Sequence, residues 1–279
     1  MTAGAERDGA AERSALRRAL NELDARLADA TERGPGAHLR FDPLVDRLRT
    51  PVAAFLQPDL ERRLDLHVDA DDSFARDRIA HVLAGACGVA ALPALLRAME
   101  HDRNDGGDTL QLDLLDLFRA WPEESIRLVL AGVGSDDPRT RQIGIWGLAV
   151  IDFGGAKYFE LVADMASDPD PQVRAKVMST LGSIFGVGDP PRARAILIAG
   201  ARDPAPEVRR NAVAALGSSH DETVTDLLVA CADDTDRWVR YWAAWSLSRR
   251  PGPAVRAALE RFAADEDGDV RDAARAVMG

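Results

Sequence analysis

This chain has almost no lysine. Lys157 and Lys176 are the only two among its 35 basic residues, so its positive charge is nearly all arginine, the side chain suited to fixed, forked contacts. It has just two cysteines, Cys87 and Cys231, both in alanine-rich helical settings and with no Cys-x-x-Cys spacing. That excludes a thiolate metal cluster or a disulfide scaffold and points to small buried thiols in a reducing compartment. Aromatic residues make up 5% of the composition and small alanines dominate, which suits thin, closely stacked helices. The histidines, at 38, 67, 81, 101 and 220, never fall at metal-ligand spacing. A Gly-x-Ser-x-Gly elbow and a glycine-rich phosphate loop are both missing. Asp265-Glu266-Asp267-Gly268-Asp269 has the look of a calcium loop, but its glycine comes one position early and no glutamate closes it. The expectation is therefore no cofactor and no metal. No apolar run is read as long enough for the ~18 residues of a membrane span, and Met1 to Arg13 is charged with no signal-like apolar region behind it. The expected location is cytoplasmic, without membrane contact.

Acidic residues number 46, giving a net charge of −11. That balance argues against a nucleic-acid partner held by phosphate neutralisation and favours a basic one.

What the chain does have is repetition. An arginine recurs at 141, 174, 209, 240 and 271, each time within one phrase: an apolar or branched residue before it, a small or branched residue three after and an apolar residue seven after. Val208-Arg209, Ala212, Leu216 and Val239-Arg240, Ala243, Leu247 are clear copies. Two degenerate copies put Arg76 and Leu110 in the arginine's place. A period in the low thirties marks a solenoid, in which each unit buries its apolar face only by stacking on its neighbours. Each unit reads as two helices, the phrase lying on the second. The first is an apolar stretch such as Leu92 to Met99, Ile126 to Leu130, Tyr158 to Met165, Ala193 to Ile198, Val224 to Ala230 or Val255 to Phe262. Five residues before the apolar-Arg pair stand Asp168, Asp203, Asp234 and Asp265, with Ser135 in the third unit, read as residues that start the second helix. Pro171 and Pro206 follow near the first helical position.

Ahead of the repeats, residues 1–9 are expected to be disordered. Residues 10–68 form an N-terminal helical segment, in which Leu16, Leu20, Leu23 and Leu27 make one stripe and further helices split near Gln57-Pro58. The repeat array is assigned to 69–279. Within it, Ile184 to Pro191 reads as a longer surface loop.

The pattern Asp-x-x-x-x-Val-Arg-x-x-Ala-x-x-x-Leu, seen from Asp203 to Leu216, resembles the HEAT repeat, in particular the short bacterial form first noted in phycobilisome lyases. The resemblance covers about residues 70–279. It implies an all-α fold, an armadillo-like α-solenoid of about seven helix pairs with an N-terminal helical extension. It also implies a structural ladder in which Asp168, Arg174, Asp203, Arg209, Asp234, Arg240, Asp265 and Arg271 pair between neighbouring repeats. It implies no single activity, because the shared residues are architectural.

Function must then lie where the repeats differ. In the sixth unit Trp238, Tyr241, Trp242 and Trp245 are interleaved with Arg237, Arg240, Arg249 and Arg250. With Val239, Ala243 and Leu247 facing the core, the three tryptophans fall on the opposite, inner face, where other units carry Gln172, Lys176 and Ser179 or Glu207, Asn211 and Ala214. Trp146 repeats the position of Trp245 in the third unit. Two readings stay open: rings that fill gaps left by alanines or lie under the N-terminal helices, and a concave patch that binds a protein or peptide, with its arginines meeting acidic groups. The first reading of function is a non-catalytic scaffold. The alternatives are an enzyme similar to the HEAT-like DNA glycosylases, against which the acidic charge stands, and a chromophore lyase, for which repeat similarity alone speaks. A monomer or a weak homodimer through the last repeat, near Val277, is expected.

Overall fold

A computed structural model describes residues 3–29, 37–101, 109–152, 157–182, 190–219, 221–248 and 250–278, with side chains from Asp8 on and without those of 37–42 and 277–278. The loop expected at 184–191 falls largely outside these residues, as do Arg249, His220 and the side chains of His38 and Val277. Among the described residues there are helices and turns and no strands. The chain is an all-α solenoid. Its contacts group it into two compact units, residues 1–128 and 129–279, and the array boundary expected at residue 69 lies inside the first.

In the first unit, α1 runs from Ala3 to Ala28. It therefore covers most of the segment expected to be disordered, whose two alanines, glutamate and arginine are good helix formers. Its leucines at 16, 20, 23 and 27 are all buried. Then come α2 (Ala37–Leu48), α3 (Gln57–Asp69), α4 (Ser73–Cys87), α5 (Leu92–Met99) and α6 (Thr109–Ala120). They pack as the pairs α1/α2, α3/α4 and α5/α6, and α4 lies between α2 and α6. The alternation of the repeats thus already holds in the N-terminal segment.

One expectation about this unit is corrected. Ser73–Met99 is long and apolar enough, with a mean hydropathy of 2.0, to meet the length and composition of a membrane span. Arg76, Asp77 and Arg78 near one end and Arg97 near the other shorten the run as it reads in the sequence. The fold breaks it at Gly88 (φ 55°), where a short 3-10 turn separates α4 from α5, and 56% of its apolar window is buried. A side chain at Gly88 would be strained by that φ, and its Cβ would lie 2.8 Å from the ring of Trp121.

Helix α7 (Pro122–Val133) carries the chain from the first unit into the second. The second unit continues with α8 (Pro138–Ile151), α9 (Phe159–Asp164), α10 (Pro171–Thr180), α11 (Pro191–Gly200), α12 (Pro206–Leu216), α13 (Glu222–Ala230), α14 (Arg237–Leu247), α15 (Pro253–Phe262) and α16 (Gly268–Met278). The phrase helices α8, α10, α12, α14 and α16 pack one on the next in an unbroken row, more closely than α9, α11, α13 and α15 do among themselves. This tighter row carries the face expected to be the inner one. Small residues permit the close approach within the row: a Cβ on Gly182, just past α10, would stand 3.0 Å from the Cα of Ala215 of α12, and α8 meets α7 as tightly, since a Cβ on Gly144 would stand 2.5 Å from the backbone nitrogen of Val133.

The row is pinned by one contact repeated four times. Arg141, Arg174, Arg209 and Arg240 each donate from Nε and Nη2 to both carboxylate oxygens of the aspartate in the following repeat, Asp168, Asp203, Asp234 and Asp265, at 2.7–2.9 Å. The third nitrogen, Nη1, donates to two carbonyl oxygens of the arginine's own turn, such as those of Asp203 and Pro204 for Arg209. Arg271 makes the turn contacts with the carbonyls of Asp265 and Glu266. Arg141, on the other hand, belongs to the ladder as its first donor.

The ladder aspartates do not themselves start the helices. Each accepts from the backbone N–H two residues on, at 2.8–2.9 Å, and so closes the turn. The helix N-termini are capped by the next aspartate along: Asp137, Asp170, Asp236 and Asp267 accept from the first free N–H groups of α8, α10, α14 and α16. Burial pushes Asp168, Asp234 and Asp265 up, but the arginine fork and the turn N–H outweigh it and hold each below the usual carboxylate range. At Asp203 the Arg174 fork is the leading influence in the same direction.

Candidate binding surface

Helix α14 has two unlike faces. Val239, Ala243 and Leu247 are fully buried, so the helix is held against its neighbours through this stripe and through Arg240. Its other face carries the aromatics. Trp242 is 36% exposed and Trp245 50%, while Trp238 and Tyr241 are half-buried. These are not core rings. At the same register on the adjoining phrase helices stand Glu207, Asn211 and Ala214 on α12 and Asp269, Ala273 and Ala276 on α16. Short side chains on both sides leave the indoles of Trp242 and Trp245 uncovered.

The rings hold one another at right angles. Trp238 and Tyr241 meet edge to face with centroids 5.5 Å apart, and Tyr241 and Trp242 meet the same way at 5.3 Å. Arg237 lies over the face of Trp238, its guanidinium carbon 4.7 Å from the ring centre. The same guanidinium reaches Asp267 at 3.2 Å and Asp269 at 3.7 Å. Asp267 is thereby held below the ordinary carboxylate range, chiefly by Arg237. Arg237, expected to meet a partner's acidic group, is paired here with the chain's own aspartates. The spacing of 30 residues, one repeat, between Arg237 and Asp267 was the sequence signal for that pair.

The other expected members are dispersed. Trp146 lies half-buried on α8, three repeats from α14, which at roughly 8–10 Å per helix step places it some 25–30 Å away. Arg250 turns from the aromatic face: it donates to Thr225 Oγ1 (2.8 Å) and to the carbonyls of Leu216 (3.2 Å), Ser219 and Ser246 (3.3 Å), clamping the ends of α12 and α14 together. A cleft of about 620 Å³ beside it includes Ser218, Glu222 and Asp226 in its lining. Between the tryptophans the inner positions are taken up with cross-links, Asn211 Nδ2 donating to the Ala175 carbonyl at 3.0 Å and Gln172 Nε2 to Glu207 at 2.9 Å.

Neither cysteine is a poised nucleophile. Burial and then Glu61 push Cys87 up to about 11, and burial and then Asp234 push Cys231 up to about 12. Among the described residues no three His, Cys, Asp or Glu side chains gather closely enough to hold a metal ion.

Comparison with known proteins bears on the fold. The family model of HEAT repeats matches residues 126–206 and 194–279. No curated protein matches the chain. Among solved structures, the Escherichia coli protein YibA is 16% identical, with 92% of each chain covered and a TM-score of 0.48. A designed armadillo repeat protein in complex with the peptide (KR)4 is 17% identical, covering 77% of this chain and 98% of that one, with a TM-score of 0.45.

Proposed function

We propose that this chain, which belongs to the HEAT-repeat family, is a non-catalytic scaffold that holds a basic protein segment along the inner row of its second unit, with the aromatic face of α14 as its principal anchor. The observation that carries the reading is the exposure of Trp242 and Trp245 at 36% and 50%. Two indoles left open on a surface whose neighbouring positions are small or polar represent apolar area that a partner can cover, and tryptophan is the residue most enriched where binding energy concentrates. Trp146 supplies a second anchor farther along the row. The charge of −11, with Glu207, Asp267 and Asp269 bordering the rings, selects a basic segment over an acidic one.

The test uses a fluorescein-labelled arginine-rich peptide, with a glutamate-rich peptide as the control. Replacing Trp242 and Trp245 together by Ala is expected to weaken the arginine-rich peptide by about 2 kcal/mol, near thirtyfold in Kd, while circular dichroism keeps its helical signal. A double variant that binds as the wild type does sinks the proposal, and so does a wild type that prefers the acidic peptide.

A further inference from the structure

The arrangement around Arg237 has the parts of a cation-binding site with a cation already in it. Three rings stand mutually edge-on, Trp238 against Tyr241 and Tyr241 against Trp242, and their faces offer the negative side of the π system. Two carboxylates, Asp267 and Asp269, stand beside them on the next repeat. The guanidinium of Arg237 bridges the two parts, stacked on Trp238 at 4.7 Å and ion-paired to Asp267 at 3.2 Å. Yet this arginine is not built in as the ladder arginines are. Its side chain is 51% exposed against 9% for Arg240 three residues on, and it lies at the open end of a helix rather than between two. Where the phrase has Pro171 and Pro206 in the tenth and twelfth helices, α14 has Arg237 in their place, so the architecture does not require a cation there.

We infer that Arg237 is an internal occupant of a guanidinium-binding site, and that an arginine side chain of the bound segment takes its place between Trp238 and the Asp267–Asp269 pair. This rests on the proposed docking of a basic segment and names the group that the face reads. Guanidinium suits the place better than ammonium because it can stack flat on the indole and fork to a carboxylate at once. The internal arginine then acts as a competitor. It keeps the aspartates paired and the Trp238 face covered until a partner with its own arginine arrives, so the free protein does not present a bare acidic and aromatic surface to every cation.

The sign of one substitution separates this from an arginine that anchors the partner. R237Q releases Asp267 Oδ2, Asp269 and the ring while Asp267 Oδ1 keeps its capping bonds to α16, and the arginine-rich peptide should bind about fivefold more tightly, since one stacking contact and one half-exposed ion pair no longer have to be exchanged. Removing any positive charge favours a basic peptide through the general field, so R261Q serves as the reference: Arg261 is an exposed arginine of α15 paired with Asp233 and not with Asp267 or Asp269. R261Q should improve binding by less than twofold. W238A and the pair D267N/D269N should each lose affinity even in the R237Q background, where they cannot act by releasing the internal arginine. The inference is overturned if R237Q weakens the peptide, if it improves binding no more than R261Q does, or if W238A is silent in that background. Any of these results seen alongside a weakened W242A/W245A variant would leave the docking surface intact and remove only the role given to Arg237.

Discussion

Cutting one rung of the ladder measures what the repeated phrase is for. In the native chain Arg209 gives two charge-assisted bonds to Asp234, both at 2.8 Å, and its side chain and that of Asp234 are 15% and 13% exposed. Arg209→Ala leaves Asp234 with the N–H of Asp236 as its remaining described partner, so a mostly buried carboxylate loses its counter-charge. Breaking a buried pair typically costs about 3–5 kcal/mol, and the residual water access at this site argues for the lower end, about 3 kcal/mol. The carbonyls of Asp203 and Pro204, released at the same time, lie near the surface and can turn to water, adding little. With a urea slope of roughly 2–3 kcal/mol per molar, the midpoint followed by circular dichroism should fall by about 1 M. Arg261→Ala is the matched control: its pair with Asp233 is 52% and 73% exposed, and such pairs are worth less than about 1 kcal/mol. A cycle with Asp234→Asn, which preserves the turn acceptor, isolates the pair itself and should show about 2 kcal/mol of coupling. Equal midpoints for the two arginine variants, or a coupling near zero, would refute the claim that the ladder holds the inner row together. An altered slope in Arg209→Ala would mean instead that the array has begun to unfold repeat by repeat.

Stability should also depend on pH in one direction. Asp168, Asp203, Asp234 and Asp265 all titrate below their unfolded value near 3.9, so the unfolded chain binds more protons than the native one as acid is added; the ladder's contribution should be complete above about pH 5 and lost progressively below about pH 4. Thermal melts between pH 3 and 7 would show it, and a melting temperature flat across that range would contradict it. Gly144→Ala should destabilise by about 1–3 kcal/mol in the same urea assay, because its Cβ would sit 2.5 Å from the Val133 nitrogen and 2.9 Å from the Gly132 carbonyl carbon, backbone atoms that can yield only by moving α7 from α8. An unchanged midpoint would mean that the two helices are not in tight register there.

The period of the arginine phrase was enough to place all seven phrase helices, because a solenoid repeats the same burial problem and each copy solves it with the same residues. The apolar stretches between phrases likewise fell into α5, α7, α9, α11, α13 and α15. What the pattern could not separate were two aspartates with different jobs two residues apart. Asp168 and Asp170 both accept backbone N–H groups near a helix start, and only the folded turn shows that the first serves the neighbouring repeat while the second caps its own helix. The same limit applied at α14. Helical offsets placed Trp242 and Trp245 on the face opposite the buried stripe, and they are exposed there, but Arg237 was left to the partner, because its pairing with Asp267 shows in the spacing across one repeat and not in the period of its own helix.

The ladder also explains why the variable face can carry the function at all. Each rung uses the Nε and Nη2 edge of its arginine for the next repeat and the Nη1 atom for its own turn, so every repeat is positioned by residues that point along the row rather than into the groove. Positions one before, three after and six after the apolar residue of the phrase take no part in the ladder; in some repeats they carry cross-links such as Gln172 to Glu207 and Asn211 to Ala175, and in α14 they carry three tryptophans. Changing them should alter what is bound and leave the stack standing, whereas changing a rung should do the reverse. Arg237 and Arg240 put the two cases three residues apart on a single helix. The first is half-exposed, lies on a ring and can be exchanged for a partner's arginine. The second is nine-tenths buried, forks onto Asp265 at 2.7 and 2.9 Å and cannot be exchanged without opening the array.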